Sequence, residues 1–214
     1  MLSFKVMKIL FIGPKLSLHK YLSNSFFQYL ALKRLYKNVD IIDSGKILFL
    51  PFFTNKIFVQ ISPLIFEHYI NYYILSKIKK NYDLIYVKAG DLIGKKLILE
   101  LKKKTKKIVF FCNDNPFVKR DKQRWKLFLP AAKYYDCIAF QDKSRIEPSK
   151  KWGVKKPLLV IPPYDTKIHK KQKISNKEKK KYQNDIIFIG TWSSQKGEFI
   201  KKLIELGLKI NIYG

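Results

Sequence analysis

The sequence predicts an α/β fold, a Rossmann-like doubly wound parallel sheet followed by the first strand–helix–strand unit of a second Rossmann-like domain. Two observations lead to this prediction. Short apolar runs rich in β-branched residues alternate with segments whose apolar side chains recur at helical spacing. The segments 8–13 and 185–190 also resemble each other, and each begins with an apolar run that ends in glycine. Strands that alternate with helices are typical of a parallel sheet.

The elements of the first domain follow from this alternation. Residues 44–62 stay ambiguous, because they are apolar and aromatic but are followed and interrupted by prolines. Asp91 and Asp142 stand where they can cap helices. Strands are predicted over 8–12, 39–42, 84–87, 107–112, 137–140 and 158–161, and helices over 18–36, 64–80, 91–104, 121–133 and 142–152.

The composition divides the chain into three parts. Residues 1–165 form the first domain, and residues 166–183, with eight lysines and almost no apolar side chains, are expected to be a solvated linker. Residues 184–214 hold a strand, a turn, a helix and a second strand. A parallel sheet is buried on both faces, so we expect these 31 residues to be the incomplete start of a second domain.

The charge of the chain is strongly positive. Lysine and arginine number 44 against 16 acidic residues, which gives a net charge of +28, but only four of the 44 are arginines. Nucleic-acid readers favour arginine, so we do not expect nucleic acid as a partner. The lysine excess is explained either by AT-rich coding or by an anionic partner such as a membrane surface or a sugar nucleotide.

The sulfur and imidazole groups do not point to metal binding. Cys112 and Cys137 lie inside apolar runs without metal-ligand spacing, and the three histidines are scattered. No apolar run reaches the roughly 18 residues that span a bilayer. We therefore expect a cytoplasmic protein with reduced cysteines and no metal.

Ligands of open parallel sheets bind outside the carboxyl ends of the strands, so the residues there are the candidate site. Gly13 follows the first strand and lets the backbone approach a ligand closely, or simply makes a tight turn. Lys88 follows the strand 84–87 and, beside a helix N-terminus, is placed to bind an anion. The alternative for residues 88–91 is a capping turn.

The densest polar cluster follows the strand 107–112. Asp114 is the candidate catalytic base or sugar-hydroxyl acceptor, and Asn113 and Asn115 can both donate and accept hydrogen bonds. The alternative is an Asx-turn that happens to be polar.

A second candidate region follows the strand 185–189. Gly190 and Thr191 begin a turn that runs to residue 197 and precedes a helix, and Lys196 can neutralise a phosphate there. The spacing is not that of a Walker A loop.

The segments Asp185–Ile200 and Ile212–Gly214 resemble the start of the C-terminal domain of CgeB-like glycosyltransferases, which belong to the GT-B group. Asn113–Pro116 is similar to the acidic strand-end segment of their N-terminal domains. The resemblance implies a GT-B N-terminal, acceptor-side domain in residues 1–165, followed by the start of a nucleotide-sugar-binding domain, so that the chain is truncated within that domain.

The resemblance also implies the substrates and the roles of the residues. The donor would be a nucleotide-sugar, bound without a cofactor or metal, and the acceptor a glycan or a lipid-linked sugar. Gly190, Thr191 and Lys196 stand where the family contacts donor phosphates, and Gly13 lies on the opposing loop. Many relatives carry arginine where this chain has Thr191.

Two functions from different classes remain open. The first is a glycosyltransferase, an enzyme only if a fuller C-terminal domain completes it, weakly active or inactive alone, and peripheral at the inner membrane face if its acceptor is lipid-linked. The second is a non-catalytic binding module, whose basic surface serves an anionic membrane or nucleic acid.

Overall fold

The computed structural model describes residues 6–16, 23–48, 60–121, 123–161, 164, 170–171, 173–190 and 192–213. The chain divides into two compact units, Met1–Asp165 and Thr166–Gly214, hereafter unit 1 and unit 2. Among the residues in these ranges, no helix combines the length and the apolar character that crossing a membrane requires.

Unit 1 is built on a six-stranded parallel sheet with the order β2-β1-β3-β4-β5-β6, and helices flank it. The predicted α/β, Rossmann-like doubly wound fold is thereby confirmed. The strands are β1 (Lys8–Gly13), β2 (Asn38–Asp43), β3 (Tyr82–Val87), β4 (Thr105–Cys112), β5 (Cys137–Phe140) and β6 (Pro157–Leu159). The α-helices are α1 (Asn24–Leu35), α2 (Gly45–Leu48), α3 (Glu67–Leu75), α4 (Lys95–Lys102), α5 (Phe128–Ala131) and α6 (Ile146–Lys151).

Strand β1 lies inside the sheet because both of its faces are apolar. Ile9, Leu10, Phe11 and Ile12 are all at most 1% exposed. Leu10 and Ile12 belong to the main core cluster, which also contains Ile70 of α3. A strand whose side chains are buried on both faces is typical of a parallel sheet covered by helices on each side.

Helix α1 covers the opposite face of β1. The ring of Phe11 packs against Tyr29 of α1 at 5.8 Å between centroids and stacks on Tyr86 of β3 at 5.5 Å. The helix begins after Ser23, whose hydroxyl oxygen accepts a hydrogen bond from the Phe26 amide at 3.1 Å. A serine in this position satisfies one of the free amide groups at a helix start.

The sheet has a switch point between β1 and β3. Strand β1 pairs with β2 on one side and with β3 on the other. The chain therefore crosses from β1 to β2 in one direction and then returns past β1 to β3 in the other. The register aligns Gly13 with Asp43 and Ile12 with Val87. The crevice outside the carboxyl ends at such a point is where ligands bind in doubly wound sheets.

Several predicted helices differ from the observed ones. The helix predicted over 91–104 begins only at Lys95, and two others differ more. The segment 121–133 is not one helix: turns precede α5, and a short 3-10 helix follows at Ala132–Tyr134. Its apolar side chains, including Trp125 and Phe128, are buried without a continuous helix. The helix predicted over 64–80 begins as a 3-10 turn at Pro63–Phe66 and ends with α3, so its lysines lie beyond it.

Unit 2 contains the helices α7 (Asn176–Tyr182) and α8 (Ser194–Glu205) and the parallel strands β7 (Ile186–Ile189) and β8 (Ile210–Tyr213). Helix α7 lies in the segment expected to be a linker, where a capping box between Ser175 and Glu178 starts it. Helix α8 begins four residues earlier than predicted, because Ser193 caps it by accepting from the Lys196 amide.

We expect amide hydrogens of β7 and β8 to exchange faster than those of β1 and β3. The side chain of Ile189 is 78% exposed, whereas Ile9 and Ile85 are fully buried. Segments with few buried apolar contacts open locally at low free energy. Hydrogen exchange followed by mass spectrometry measures the difference, and equal protection in the two units would contradict it.

Candidate functional site

Gly13 and Lys88 meet at the carboxyl ends of β1 and β3. The Lys88 amide donates to the carbonyl oxygen of Ile12 at 2.7 Å, which extends the pairing of the two strands by one residue. A Cβ atom added to Gly13 would stand 2.9 Å from the Cβ of Lys88 and 2.6 Å from the ring of Phe11. Glycine therefore allows the two strand ends to approach this closely.

The side chain of Lys88 turns toward the end of β4. Its Nζ donates hydrogen bonds to the Asn113 side-chain oxygen and, at 3.3 Å, to the carbonyl oxygen of Phe111. The same Nζ lies 4.0 Å from the centroid of the Phe111 ring, a cation–π distance. The structure thus brings together the predicted residues Gly13, Lys88 and Asn113.

The charge state of Lys88 is set by its surroundings. Burial lowers the pKa of its amine from the ordinary value of 10.5 to about 7, although Cys112 and Asp114 oppose this shift. Burial disfavours the charged form of a lysine. Near neutral pH the amine therefore exists in both forms, and an anion bound beside it would favour the protonated one.

Asp114 is held by arginines. Its Oδ2 accepts from Nη1 of Arg124 at 3.1 Å, and its Oδ1 lies 3.6 Å from Nη2 of Arg120. A carboxylate has about four lone-pair positions, so Oδ1 keeps capacity for a further hydrogen bond. The predicted base is present at the strand end, but it already belongs to an ion-pair network.

Asn115 has a local structural role. Its side-chain oxygen accepts from the Phe117 amide at 3.1 Å, which is the Asx-turn weighed as the alternative for this cluster. Cys112, the last residue of β4, is buried, and its thiol donates to the Asp114 carbonyl oxygen at 3.2 Å. Burial is the main cause that raises the pKa of this thiol to about 12.

Arg124 joins the residues that follow β3 and β4. Its Nε donates to Asp91 at 2.8 Å, while its Nη1 bonds Asp114. The Asp91 side chain is 10% exposed and that of Arg124 32%. The neighbouring Asp91 carboxylate is the leading cause that raises the pKa of Arg124 above its ordinary value. Asp91, expected to cap a helix, therefore serves as a buried ion-pair partner, and Gly94 caps α4 instead.

Arg145 approaches the same strand end from the 3-10 helix that follows β5. Its Nη1 donates to the carbonyl oxygen of Asp114 at 3.0 Å and to that of Asn113. Within the described part of the chain, its buried Nε has no hydrogen-bond partner. The loop after β4 is therefore fixed by Arg124 and Arg145 together.

The arginines were missed as site residues. Three of the four arginines in the chain, namely Arg120, Arg124 and Arg145, gather around Asp114, although 44 residues are lysine or arginine. The planar, always charged guanidinium suits a site with several oxygen acceptors better than lysine does. The small number of arginines among so many lysines could have marked these residues in the sequence. That they meet around Asp114 depends on the fold.

In unit 2, the predicted residues surround the start of α8. Gly190 has φ 153°, a conformation that favours glycine, and its amide donates to the Tyr213 carbonyl oxygen at 2.9 Å. The Lys196 amine lies 5.6 Å from the centroid of the Phe188 ring. Thr191, also predicted as a site residue, lies outside the described residues.

Comparison with protein-family models and with curated proteins finds no match to this chain. In the described ranges, no three His, Cys, Asp or Glu side chains group in a way that could hold a metal ion. The arrangement at the sheet end of unit 1 combines a lysine with two ionisation states, a carboxylate and three guanidinium groups. Such an arrangement can bind an anion and accept hydrogen bonds from hydroxyl groups.

We expect Gly13→Ala to destabilise unit 1 by about 1–3 kcal/mol, the usual cost of overpacking. The lower entropy of the unfolded alanine chain offsets only about 0.4–1 kcal/mol. Chemical denaturation measures the change. The 2.6 Å approach to the Phe11 ring identifies the cause, so the cost should be smaller in a Phe11→Leu background. Equal costs in both backgrounds would contradict this explanation.

We expect amine-selective labelling of Lys88 to follow a pH profile with a midpoint near its pKa of about 7. The folded pKa lies below the unfolded value of 10.5, so the unfolded state binds more protons between these values. Lys88 should therefore make the free energy of unfolding rise with pH across this window. Mass spectrometry of labelled peptides gives the midpoint, and a value near 10.5 would contradict it.

Arg124→Met should destabilise the protein by about 3–5 kcal/mol, because it leaves the buried Asp91 carboxylate unpaired. The control is Lys150→Met, whose ion pair with Glu147 is exposed on both sides, with side-chain exposures of 55% and 76%. An exposed ion pair is worth about 0–1 kcal/mol, so the control should change stability little. Denaturation curves that give the two variants equal costs would contradict the assignment.

Proposed function

We propose that the chain acts in glycosyl transfer of the GT-B type, moving a sugar from a nucleotide-sugar donor to a glycan or lipid-linked acceptor. Unit 1 would supply the acceptor side and unit 2 part of the donor-binding domain. The observation that carries the proposal is the polar, cationic cluster of Gly13, Lys88 and Asn113 at the switch point of the sheet. The resemblance of residues 185–200 to CgeB-like enzymes supports the donor assignment.

The reaction requires two kinds of group. The bond between the anomeric carbon and the diphosphate oxygen breaks, and the acceptor hydroxyl oxygen bonds to that carbon while its proton passes to a base. Asp114 is our candidate for the group that accepts the hydroxyl hydrogen bond, through its Oδ1. Positive charge aimed at the departing diphosphate lowers the barrier. Lys196 in unit 2 is the candidate for that role, by the resemblance.

Lys88 fits a binding role on the acceptor side. Its amine donates a hydrogen bond to the Asn113 side-chain oxygen. The Lys88 amine and the Asn113 amide can form further hydrogen bonds with sugar hydroxyls or with an acceptor phosphate. The two ionisation states of Lys88 allow it to become fully charged when an anion arrives. The proposal therefore places recognition at Lys88 and proton acceptance at Asp114.

A non-catalytic anion-binding module is the second candidate function. The pairing of Asp114 with Arg124 and its approach to Arg120 favour it, because these contacts fix the carboxylate as a structural element of the β4 loop. In this alternative, Lys88 and Arg145 bind an anion and no bond is broken. The two candidates differ in turnover and not in ligand affinity.

The test uses the full chain with a panel of uridine, guanosine, adenosine and cytidine nucleotide sugars and their diphosphates. Thermal shift measures binding, and release of nucleoside diphosphate measures turnover. The proposal expects saturable stabilisation by one nucleotide that Lys196→Ala removes and Lys95→Ala, on an exposed lysine of α4, preserves. It also expects slow nucleotide release, which Asp114→Asn abolishes.

The outcomes separate the candidates. Saturable binding with no release favours the binding module. Release that is unchanged in Asp114→Asn contradicts the role given to Asp114. An equal shift with every polyanion, lost to the same extent in the Lys95→Ala control, contradicts both candidates.

A further inference from the structure

We propose that unit 1 carries a second anion site, for a phosphate-bearing ligand, in a pocket that runs along the edge strand β2 and reaches the amino end of β3. A cavity of about 640 Å³ opens there. We name it the basic pocket; its cationic lining is Lys33, Lys77, Lys79 and Lys80. Its cationic groups are distinct from the site at Lys88, because Lys77, Lys79 and Lys80 precede β3 whereas Lys88 follows it, and β3 is about 16 Å long.

The lysines of the basic pocket come from two separate segments. Lys33 lies in the last turn of α1, whereas Lys77, Lys79 and Lys80 follow the end of α3. Folding thus brings together charges that repel one another, although the two segments are more than 40 positions apart in the chain. Helix C-termini partly explain lysines at these places, since they carry a partial negative charge.

The charge balance shows that the dipoles do not cancel the lysines. Four lysines and the single carboxylate among the lining residues, Asp40, leave a net charge of +3. The ends of α1 and α3 contribute about half a negative charge each, which leaves about +2. The pocket therefore retains a positive potential that an anion would neutralise.

Asp40 does not oppose an incoming anion fully. Its Oδ2 lies 2.7 Å from Lys80 Nζ and accepts from the Tyr82 hydroxyl at 3.0 Å. The Lys80 hydrogen bond is the leading cause that lowers the pKa of Asp40, so Lys80 is committed to this carboxylate. The three remaining lysines, Lys33, Lys77 and Lys79, line the pocket, whose only carboxylate is paired with Lys80. The Lys77 amine lies 4.5 Å from the centroid of the Tyr73 ring.

The floor of the pocket is apolar and aromatic. Leu10 and Ile42 are buried, and Tyr29 and Tyr82 add aromatic surface. The Lys33 amine lies 5.9 Å from the centroid of the Tyr29 ring. Ligand pockets measure about 300–1,000 Å³, so this volume accommodates a body beyond a single phosphate. The expected ligand is a phosphate group attached to a ring or an acyl chain.

Two sources supply this chemistry, a free phosphorylated small molecule and the headgroup of an anionic lipid. Lysine is a compact point charge and binds phosphate from either source. The inference does not rest on the proposed glycosyl transfer, because it uses no residue of the site at the strand carboxyl ends. The experiment therefore has one arm for each source.

The test compares the natural sequence with three variants of the full chain at about 0.15 M salt, where the screening length is about 8 Å. Calorimetry with inorganic pyrophosphate probes the free source. Co-flotation with phosphatidylcholine vesicles, with and without phosphatidic acid, probes the lipid source. The pocket variant is Lys33→Gln/Lys77→Gln/Lys79→Gln, and the control with equal charge loss is Lys95→Gln/Lys96→Gln/Lys155→Gln, on exposed lysines elsewhere.

We expect at least about tenfold weaker binding in the pocket variant and little change in the control, because the pocket variant removes three charged groups that would donate hydrogen bonds to the phosphate. Saturable pyrophosphate binding identifies a free ligand, and binding to phosphatidic-acid vesicles alone identifies a lipid headgroup. Replacing the same three lysines by arginine should retain binding, which separates charge from misfolding. Equal loss in both glutamine variants, or no saturable binding of either probe, would overturn the proposal.

Discussion

The complete burial of β1 is the constraint on which the rest of unit 1 depends. Ile9 to Ile12 are covered on both faces, so the strand must lie inside the sheet with a neighbour on each side. The chain then has to leave β1 toward β2 and return past it to β3. That path opens the crevice at the carboxyl ends, and it places Gly13 and Lys88 side by side. The candidate site is thus a consequence of an apolar strand.

The two ends of the sheet use positive charge differently. At the carboxyl ends, arginines and carboxylates form a partly buried network in which Arg124 connects Asp91 with Asp114. At the amino ends, the lysines are exposed, and only Lys80 is paired with a pocket carboxylate. Breaking a buried ion pair is strongly destabilising, so such pairs hold a loop in place. Exposed lysine side chains can change conformation around a ligand at little cost in free energy. The carboxyl ends therefore hold side chains in fixed positions, whereas the lysines at the amino ends can adapt to an anion.

Much of the fold could be predicted from the sequence, because its signals are local. The period of the apolar side chains indicated every strand of the main sheet, and β5 has the predicted bounds. Rules about strand ends placed Gly13, Lys88 and Asn113 in one region, because parallel strands end on one edge. The prediction of one helix over 121–133 was wrong, because this segment is stabilised by tertiary burial of Trp125 and Phe128 and not by continuous helical hydrogen bonding.

The long-range contacts of the arginines could not be predicted in the same way. Arg124 pairs with the Asp91 carboxylate across 33 positions, and Arg145 donates to the Asp114 carbonyl oxygen across 31, so neither partner is visible in a local window. Asp91 has the residue type and position of a helix cap, and only the packed structure shows that its oxygen accepts from a guanidinium. The role of Lys88 was partly predicted, but its altered pKa depends on burial by residues from other strands.

The thiol of Cys112 adds an intrinsic reporter to the candidate site. Thiol reagents attack the thiolate, and burial keeps this sulfur protonated with a pKa of about 12. The thiol is buried and donates a hydrogen bond to the Asp114 carbonyl oxygen. We therefore expect the sulfur to react only when the loop after β4 opens. The chain has one other cysteine, Cys137, so the two rates can be resolved in one experiment. The rate of Cys112 alkylation therefore measures how often the loop after β4 opens, without an introduced label.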